Sequence, residues 1–276
     1  MSKKLVVIAA GGTGGHLFPA AAFAEEMRQR GWRVVLMTDA RGRRYAEHFP
    51  AEHIEDVAAA SPTLHPLKAI PAAIKIWRGI GQAKRRFQEL QPSLVAGFGG
   101  YPSFPALMAA RARGVPIIIH EQNSVLGRVN RTLATSAAIV ASGFERLDRL
   151  PPAAQDRKRV VGNPVRLPIL EVRARPYPEA SSGGPMNLLV IGGSQGARLF
   201  GDVIPLAITQ LPESLRARLT VVQQVREEQL AQVRDVYGEA GVKAEVAPFF
   251  SDMGQRLAAA HLVIARAGAS TIAELT

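Results

Sequence analysis

Three glycine-rich segments are the first candidates for chemistry: Gly-Gly-Thr-Gly-Gly at 11–15, Gly-Phe-Gly-Gly at 97–100 and Gly-Gly-Ser-Gln-Gly at 192–196. Each follows a short apolar run and precedes a stretch of helical length. Backbone N–H groups would therefore gather at a helix N-terminus, where the macrodipole favours phosphate. Thr13 and Ser194 hold the same place in the first and third segments, and each offers a hydroxyl to a phosphate oxygen. Arg166, which closes Gly162-Asn-Pro-Val-Arg166, and Arg198, just after the third segment, are candidate charge partners. Neither G-x-G-x-x-G nor G-x-x-x-x-G-K-[ST] occurs, so a dinucleotide fingerprint and a Walker NTPase are both unsupported. His16 would open the first helix, as a general base, as a hydrogen-bond partner for a substrate hydroxyl, or as a helix-terminal residue satisfied by backbone. His120-Glu121-Gln122-Asn123 stands at the C-terminal end of an apolar run, where open α/β sheets bind ligands. Glu274, eight residues after Arg266, could accept ribose hydroxyls, although its spacing alone equally fits an ordinary helical glutamate.

The elements that must position these residues alternate between short apolar runs and amphipathic stretches, the pattern of a parallel α/β sheet. Strands are expected near 4–10, 33–38, 93–97, 115–120, 137–141, 187–192, 219–223, 243–247 and 261–265. Helices are expected between them, among others at 16–30, 71–90, 104–113, 197–210 and 226–240. Residues 167–185 hold four prolines and a Ser-Ser-Gly-Gly run with no periodic apolar face, which reads as a linker. The expected organisation is a first domain at 1–165, a linker at 166–185 and a second domain at 186–276. The matching Gly-Gly-(Thr/Ser)-x-Gly turns suggest two similar Rossmann-like halves facing a shared cleft. The second part has 91 residues and stops inside an apparent helix, so it reads as incomplete.

The chain has 276 residues and no cysteine, which excludes a disulfide scaffold, a Cys-ligated metal and thiol catalysis. No Asp-x-Asp or His-x-x-x-His spacing points to a metal. No apolar run reaches the roughly 18 residues of a membrane span. The formal net charge is +11. Residues 1–165 carry 23 basic and 12 acidic side chains, 166–185 carry 3 and 2, and 186–276 carry 8 and 9. Within the first domain, 57–88 contain Lys68, Lys75, Arg78, Lys84, Arg85 and Arg86 and no acid. Read as a helix after Pro71, this stretch sets Lys75, Arg78, Gln82 and Arg85 on one face and Ile70, Ile74, Trp77 and Phe87 near another. That is either a surface helix with its apolar side in the core or a helix lying on an anionic membrane, and the lack of acids favours the membrane. Nucleic acid is disfavoured, since aromatics are 6% of the chain and no recognition motif is present.

Taken together, the chain resembles the MurG family of bacterial peptidoglycan N-acetylglucosaminyltransferases. The resemblance rests on Gly11-Gly-Thr-Gly-Gly-His16, Gly97-Phe-Gly-Gly-Tyr101, His120-Glu-Gln-Asn123, Gly162-Asn-Pro-Val-Arg166, Gly192-Gly-Ser-Gln-Gly-Ala-Arg198 and Arg266-Ala-Gly-Ala-Ser-Thr-Ile-Ala-Glu274, in family order along the chain. It implies a two-domain glycosyltransferase-B fold and transfer of GlcNAc from UDP-GlcNAc to lipid I, without a metal or other cofactor, at the cytoplasmic face of the inner membrane. Thr13, Gly14 and Gly15 would line sugar and diphosphate, with Asn123 near the donor sugar. Arg166 and Ser194 would contact phosphate, and Phe250 would hold uracil through its backbone. Ala269, Ser270, Thr271, Ile272, Ala273 and Glu274 would run along the nucleotide, with Glu274 on the ribose. His16 and Glu121 are implied as catalytic, with His16 first choice as base, and Tyr101 and His120 as acceptor-side residues. The family continues past the equivalent of Thr276. The rival readings are another UDP-sugar enzyme of this fold, such as a 2-epimerase or lipid glycosyltransferase, and an inactive membrane-binding fragment.

Overall fold

The structure, a computed structural model, describes residues 4–44, 46–61, 65–179, 181–193 and 196–276. The chain divides into two compact units, Met1–Val165 and Arg166–Thr276. The first unit runs β1 (Leu5–Ala9), α1 (Gly14–Gln29), β2 (Arg33–Thr38), α2 (Ala40–Arg43), β3 (His53–Asp56), α3 (Pro66–Leu90), β4 (Leu94–Gly97), α4 (Ser103–Ala112), β5 (Ile117–Glu121), α5 (Arg128–Leu133), β6 (Ile139–Ser142) and β7 (Lys158–Val160). Its strands form one parallel sheet in the order β3-β2-β1-β4-β5-β6-β7. The order reverses between β1 and β4, and open α/β sheets bind ligands at such a point, outside the carboxyl ends of the strands.

Strand alternation builds two cores from one sheet. Leu5, Val7 and Ala9 of β1 and Val35 and Met37 of β2 face a layer that includes Ala83, Phe87, Leu107, Ala110 and Leu133. Val6, Ile8, Val34 and Leu36 face the opposite layer, with Leu17, Ala20, Ala24 and Met27 of α1. Each fully buried Val, Leu or Ile contributes about 1.5–3 kcal/mol relative to exposure.

The second unit runs α6 (Leu167–Leu170), β8 (Met186–Ile191), α7 (Arg198–Thr209), α8 (Glu213–Arg216), β9 (Leu219–Gln224), α9 (Leu230–Glu239), β10 (Lys243–Ala247), α10 (Met253–Ala259), β11 (Leu262–Ala265) and α11 (Ala269–Leu275). Its parallel sheet has the order β10-β9-β8-β11, the same start as the first sheet. Gly12 and Gly193, equivalent in the two loops, share left-handed φ values of 88° and 82°. The stretch expected as a linker is instead folded onto this unit. Ile169 and Val172 are buried, Arg175 donates to Gln255 Oε1 at 2.7 Å, and Tyr177 donates to the His261 carbonyl at 2.7 Å. Its apolar contacts are too few to show a period.

Helix α3 overturns the expectation that Ile70, Ile74 and Trp77 lie with Phe87 on one apolar side. These three are 69%, 56% and 74% exposed, whereas Phe87 is buried. The buried face carries the small residues Gly79 and Ala83 beside Phe87. A Cβ on Gly79 would overlap the Ala58 carbonyl oxygen and stand 3.1 Å from Pro105 Cγ. We expect Gly79→Ala to destabilise this unit by about 1–3 kcal/mol through overpacking. Gly81→Ala, with nothing within 4 Å of its Cβ position, should stabilise it by roughly 0.5–1 kcal/mol through helix propensity. Both tryptophans, Trp32 and Trp77, lie in the first unit, so the urea midpoint followed by their fluorescence reads this unit alone. Shifts of the same sign would refute the close-packed face.

Candidate functional site

In the first unit, the site is built where the glycine loops leave β1 and β4. Gly99 and Gly100 have φ values of 87° and 75°. A Cβ on either would sit 3.3 Å from the His16 ring, and one on Gly100 would also sit 2.5 Å from the Gly11 carbonyl oxygen. The two loops therefore touch, with the His16 imidazole seated on the second. Thr13 is the N-cap of α1 with extended backbone, and its carbonyl accepts from the N–H groups of His16 and Leu17, both at 3.2 Å. Gly14 and Gly15 form the first turn of α1, which contains no acidic side chain. Tyr101 is half-buried and packs against the core on the α4 side.

The end of β5 meets His16. His16 Nδ1 lies 3.1 Å from Gln122 Oε1. Gln122 is buried, and its Nε2 lies 3.2 Å from the Phe98 carbonyl and 3.1 Å from His120 Nδ1. His120 Nε2 lies 3.0 Å from the Gly162 carbonyl, and its ring stacks on Phe98 with centroids 5.4 Å apart. Burial pushes the His120 pKa below the ordinary histidine value, so the ring is neutral at neutral pH. Glu121 is also buried, and both of its oxygens accept N–H donors. Oε1 takes the backbone N–H of Asn123 at 3.2 Å and its Nδ2 at 3.3 Å. Oε2 takes the Gly127 N–H at 2.9 Å and Asn130 Nδ2 at 3.0 Å. Asn130 was not singled out from the sequence, because it lies inside the short helix α5, outside the glycine-rich and polar runs that marked the other candidates. Asn163 joins from the Gly162 loop, donating through Nδ2 to the Gln122 carbonyl at 3.1 Å.

In the second unit, Ser194 lies outside the described residues. Gly192 donates its N–H to Gln224 Oε1 at 3.2 Å, and Gln224 Nε2 donates to the Pro248 carbonyl at 3.0 Å. That buried amide ties the glycine loop to the segment containing Phe250. The Phe250 side chain is buried under Arg256, whose guanidinium carbon lies 4.1 Å from the ring centroid. Arg256 also makes two bonds to Glu245, at 2.7 and 2.8 Å, and one to Asp252 at 2.7 Å. It holds both carboxyls below their usual range. Only the Asp252/Arg256 spacing of four residues hinted at this hub. Arg198 is an exposed residue 3.6 Å from Asp202.

Ala269, Ser270, Thr271, Ile272, Ala273 and Glu274 all lie on α11, after the N-cap Gly268. Arg166 and Glu274, assigned from the sequence to phosphate and ribose, are paired with each other: Nε and Nη2 both lie 2.8 Å from Oε1. Burial raises the Glu274 pKa and Arg166 pulls it partly back. Among the described residues, no group of three or more His, Asp or Glu side chains is placed to hold a metal.

Residues 6–142 match the glycosyltransferase family 28 N-terminal domain, and residues 187–276 match the family's C-terminal domain. The UDP-N-acetylglucosamine–N-acetylmuramyl-(pentapeptide) pyrophosphoryl-undecaprenol N-acetylglucosamine transferase of Maricaulis maris is 53% identical over all of this chain and 75% of its own length. The crystal structure of Acinetobacter baumannii MurG is 31% identical with a TM-score of 0.66, over 98% of this chain and 73% of that one. A Neisseria meningitidis UDP-GlcNAc 2-epimerase is 14% identical with a TM-score of 0.59, over 95% and 77% of the two chains, and shares the fold alone. The chain spans about three quarters of the length of the Maricaulis and Acinetobacter proteins. It belongs to glycosyltransferase family 28 and, within it, to the MurG family of UDP-N-acetylglucosamine–N-acetylmuramyl-(pentapeptide) pyrophosphoryl-undecaprenol N-acetylglucosamine transferases.

Proposed function

We propose that the chain transfers GlcNAc, with inversion, from UDP-GlcNAc to the C4 hydroxyl of undecaprenyl-pyrophosphoryl-MurNAc-pentapeptide, converting lipid I to lipid II in peptidoglycan synthesis. The observation that carries this reading is the seating of His16 on Gly99 and Gly100, where the sheet order reverses. The C4 oxygen attacks the anomeric carbon while the bond from that carbon to the β-phosphate oxygen breaks. The hydroxyl proton goes to His16 Nε2, and the bonding pair leaves on UDP. A single displacement of this kind inverts the centre. Glu121, the other candidate base, accepts four N–H donors through its two oxygens and serves to hold the Asn123–Asn130 stretch. Thr13, Gly14, Gly15 and Asn123 are assigned to the donor sugar and diphosphate, Tyr101 and His120 to the acceptor side.

The nucleotide is assigned to the second unit. Uracil would pair with the Phe250 backbone, which is available because the side chain is turned inward under Arg256. Glu274 would take the ribose hydroxyls and Arg166 the diphosphate, so their mutual pair gives way to the ligand. Ser194 and backbone N–H groups would meet the charge leaving on UDP. No step needs a metal.

The lipid acceptor calls for a membrane surface. Ile70, Ile74 and Trp77 are exposed at helical spacing, and Lys75, Arg78, Lys84 and Arg85 are exposed on the same helix. Arg86 is instead paired with Glu55 and Glu89, and the Lys68 side chain lies outside the described part. Among the described residues, no helix is long and apolar enough to cross a membrane. We assign this face of α3 to peripheral contact with anionic lipid at the cytoplasmic leaflet.

Three variants test the reading. His16→Ala should cut lipid I-dependent UDP release by about 10²–10⁴-fold while binding of UDP-GlcNAc persists, and a loss under tenfold would remove His16 from the role of base. Replacing Lys75 and Arg78 together by Ala should weaken binding to phosphatidylglycerol vesicles about 30-fold, at ~1 kcal/mol per basic residue near the surface. Ile74→Glu with Trp77→Glu should abolish that binding. Unchanged sedimentation with vesicles in both variants would move the membrane contact elsewhere.

A further inference from the structure

The Gln122 side chain can be oriented in only one way. Its Nε2 lies 3.2 Å from the Phe98 carbonyl and 3.3 Å from the His120 carbonyl, and both of these oxygens only accept. The amide nitrogen must therefore occupy that side, which turns Oε1 toward His16 Nδ1 at 3.1 Å. An amide oxygen cannot donate, so the proton of neutral His16 is on Nδ1 and the lone pair is on Nε2. The other end of the relay demands the same polarity. The Gly162 carbonyl requires a proton on His120 Nε2, which leaves His120 Nδ1 to accept from Gln122 at 3.1 Å. A protonated His120 would set N–H against N–H, and its burial beside the Phe98 ring opposes that state.

We propose that Gln122 is a positioning residue that fixes the tautomer of His16, so that Nε2 is always the nitrogen ready to take the acceptor's proton. The polarity comes from fixed backbone carbonyls, Phe98 at the end of β4 and Gly162 after β7, and passes through two neutral side chains. A carboxylate at this place would also accept from Nδ1, but it would hold the imidazole as a cation more readily. An amide sets the tautomer without adding charge. This proposal rests on the reading of His16 as the base.

The test uses the 276-residue chain with ¹⁵N-labelled histidine. Two-bond ¹H–¹⁵N spectra report which ring nitrogen is protonated, and His16→Ala assigns the signal. In the unaltered protein we expect His16 protonated on Nδ1 alone. Gln122→Met should release it into a tautomer mixture and lower kcat about 10–10²-fold, short of the loss for removing the base itself, with the KM for UDP-GlcNAc within about twofold. Gln122→Glu, which keeps an acceptor, should retain the Nδ1 proton. A His16 protonated on Nε2 in the unaltered protein overturns the proposal without recourse to any variant. His16 spectra unchanged in Gln122→Met, or the same mixture in Gln122→Met and Gln122→Glu, overturn it as well. Turnover that survives His16→Ala strikes the parent reading and the catalytic purpose of the relay, an outcome the spectra alone would not produce.

Discussion

The first unit is organised by a close approach of two backbones. The Gly11 carbonyl oxygen stands 2.5 Å from where a Cβ would be on Gly100, and the His16 ring lies 3.3 Å from the corresponding points on Gly99 and Gly100. No side chain fits in that space, and both glycines need left-handed φ values. Because β1 and β4 are neighbours in the sheet, their trailing loops must either diverge or meet. Glycine lets them meet under the imidazole. Once His16 is seated there, the end of β5, one strand further, is the nearest source of partners, and it supplies Gln122 and His120.

How much of this was legible in the sequence depended on burial. Interior strands such as β1 and β5 are continuous apolar runs because both faces are covered. The edge strands β3 and β7 passed unseen. His53-Ile-Glu-Asp56 and Lys158-Arg-Val160 lie at the two margins of the sheet and need little apolar surface. For α3, the start at Pro71 was read one turn late, because Pro66 already occupies the first turn and Pro71 lies inside the helix. One residue was also placed on the wrong face: Phe87 is buried, away from the exposed Ile70, Ile74 and Trp77. Nine residues make two and a half turns, so Ile70 and Ile74 are diametrically opposite Gly79 and Ala83. The small residues take the packed side, because Gly79 is pressed against the Ala58 carbonyl. The packed face is the row Gly79, Ala83 and Phe87, one residue every four, so a large ring is buried there beside two small residues.

In the second unit, the sequence located the segments but not their mutual arrangement. Arg166 and Glu274 are 108 residues apart and form a largely buried pair. Desolvation outweighs the arginine in setting the direction of the Glu274 shift. A carboxyl whose folded pKa is raised favours the folded state at low pH, and that contribution is lost as pH rises through the folded value.

The run His120-Glu121-Gln122-Asn123 shows what a finer reading of the sequence would have needed. Polarity at a strand end marked all four as functional, without separating their roles. Strand alternation separates them. His120 and Gln122 form one set, bonded to Phe98, Gly162 and His16. Glu121 belongs to the other, receiving Gly127 and Asn130 from the start of α5. The same period that divides the two cores thus divides the polar end of β5 into a relay and an anchor. The relay is neutral throughout and its polarity is fixed at backbone carbonyls. The anchor is a buried carboxyl group whose two oxygens accept four N–H groups.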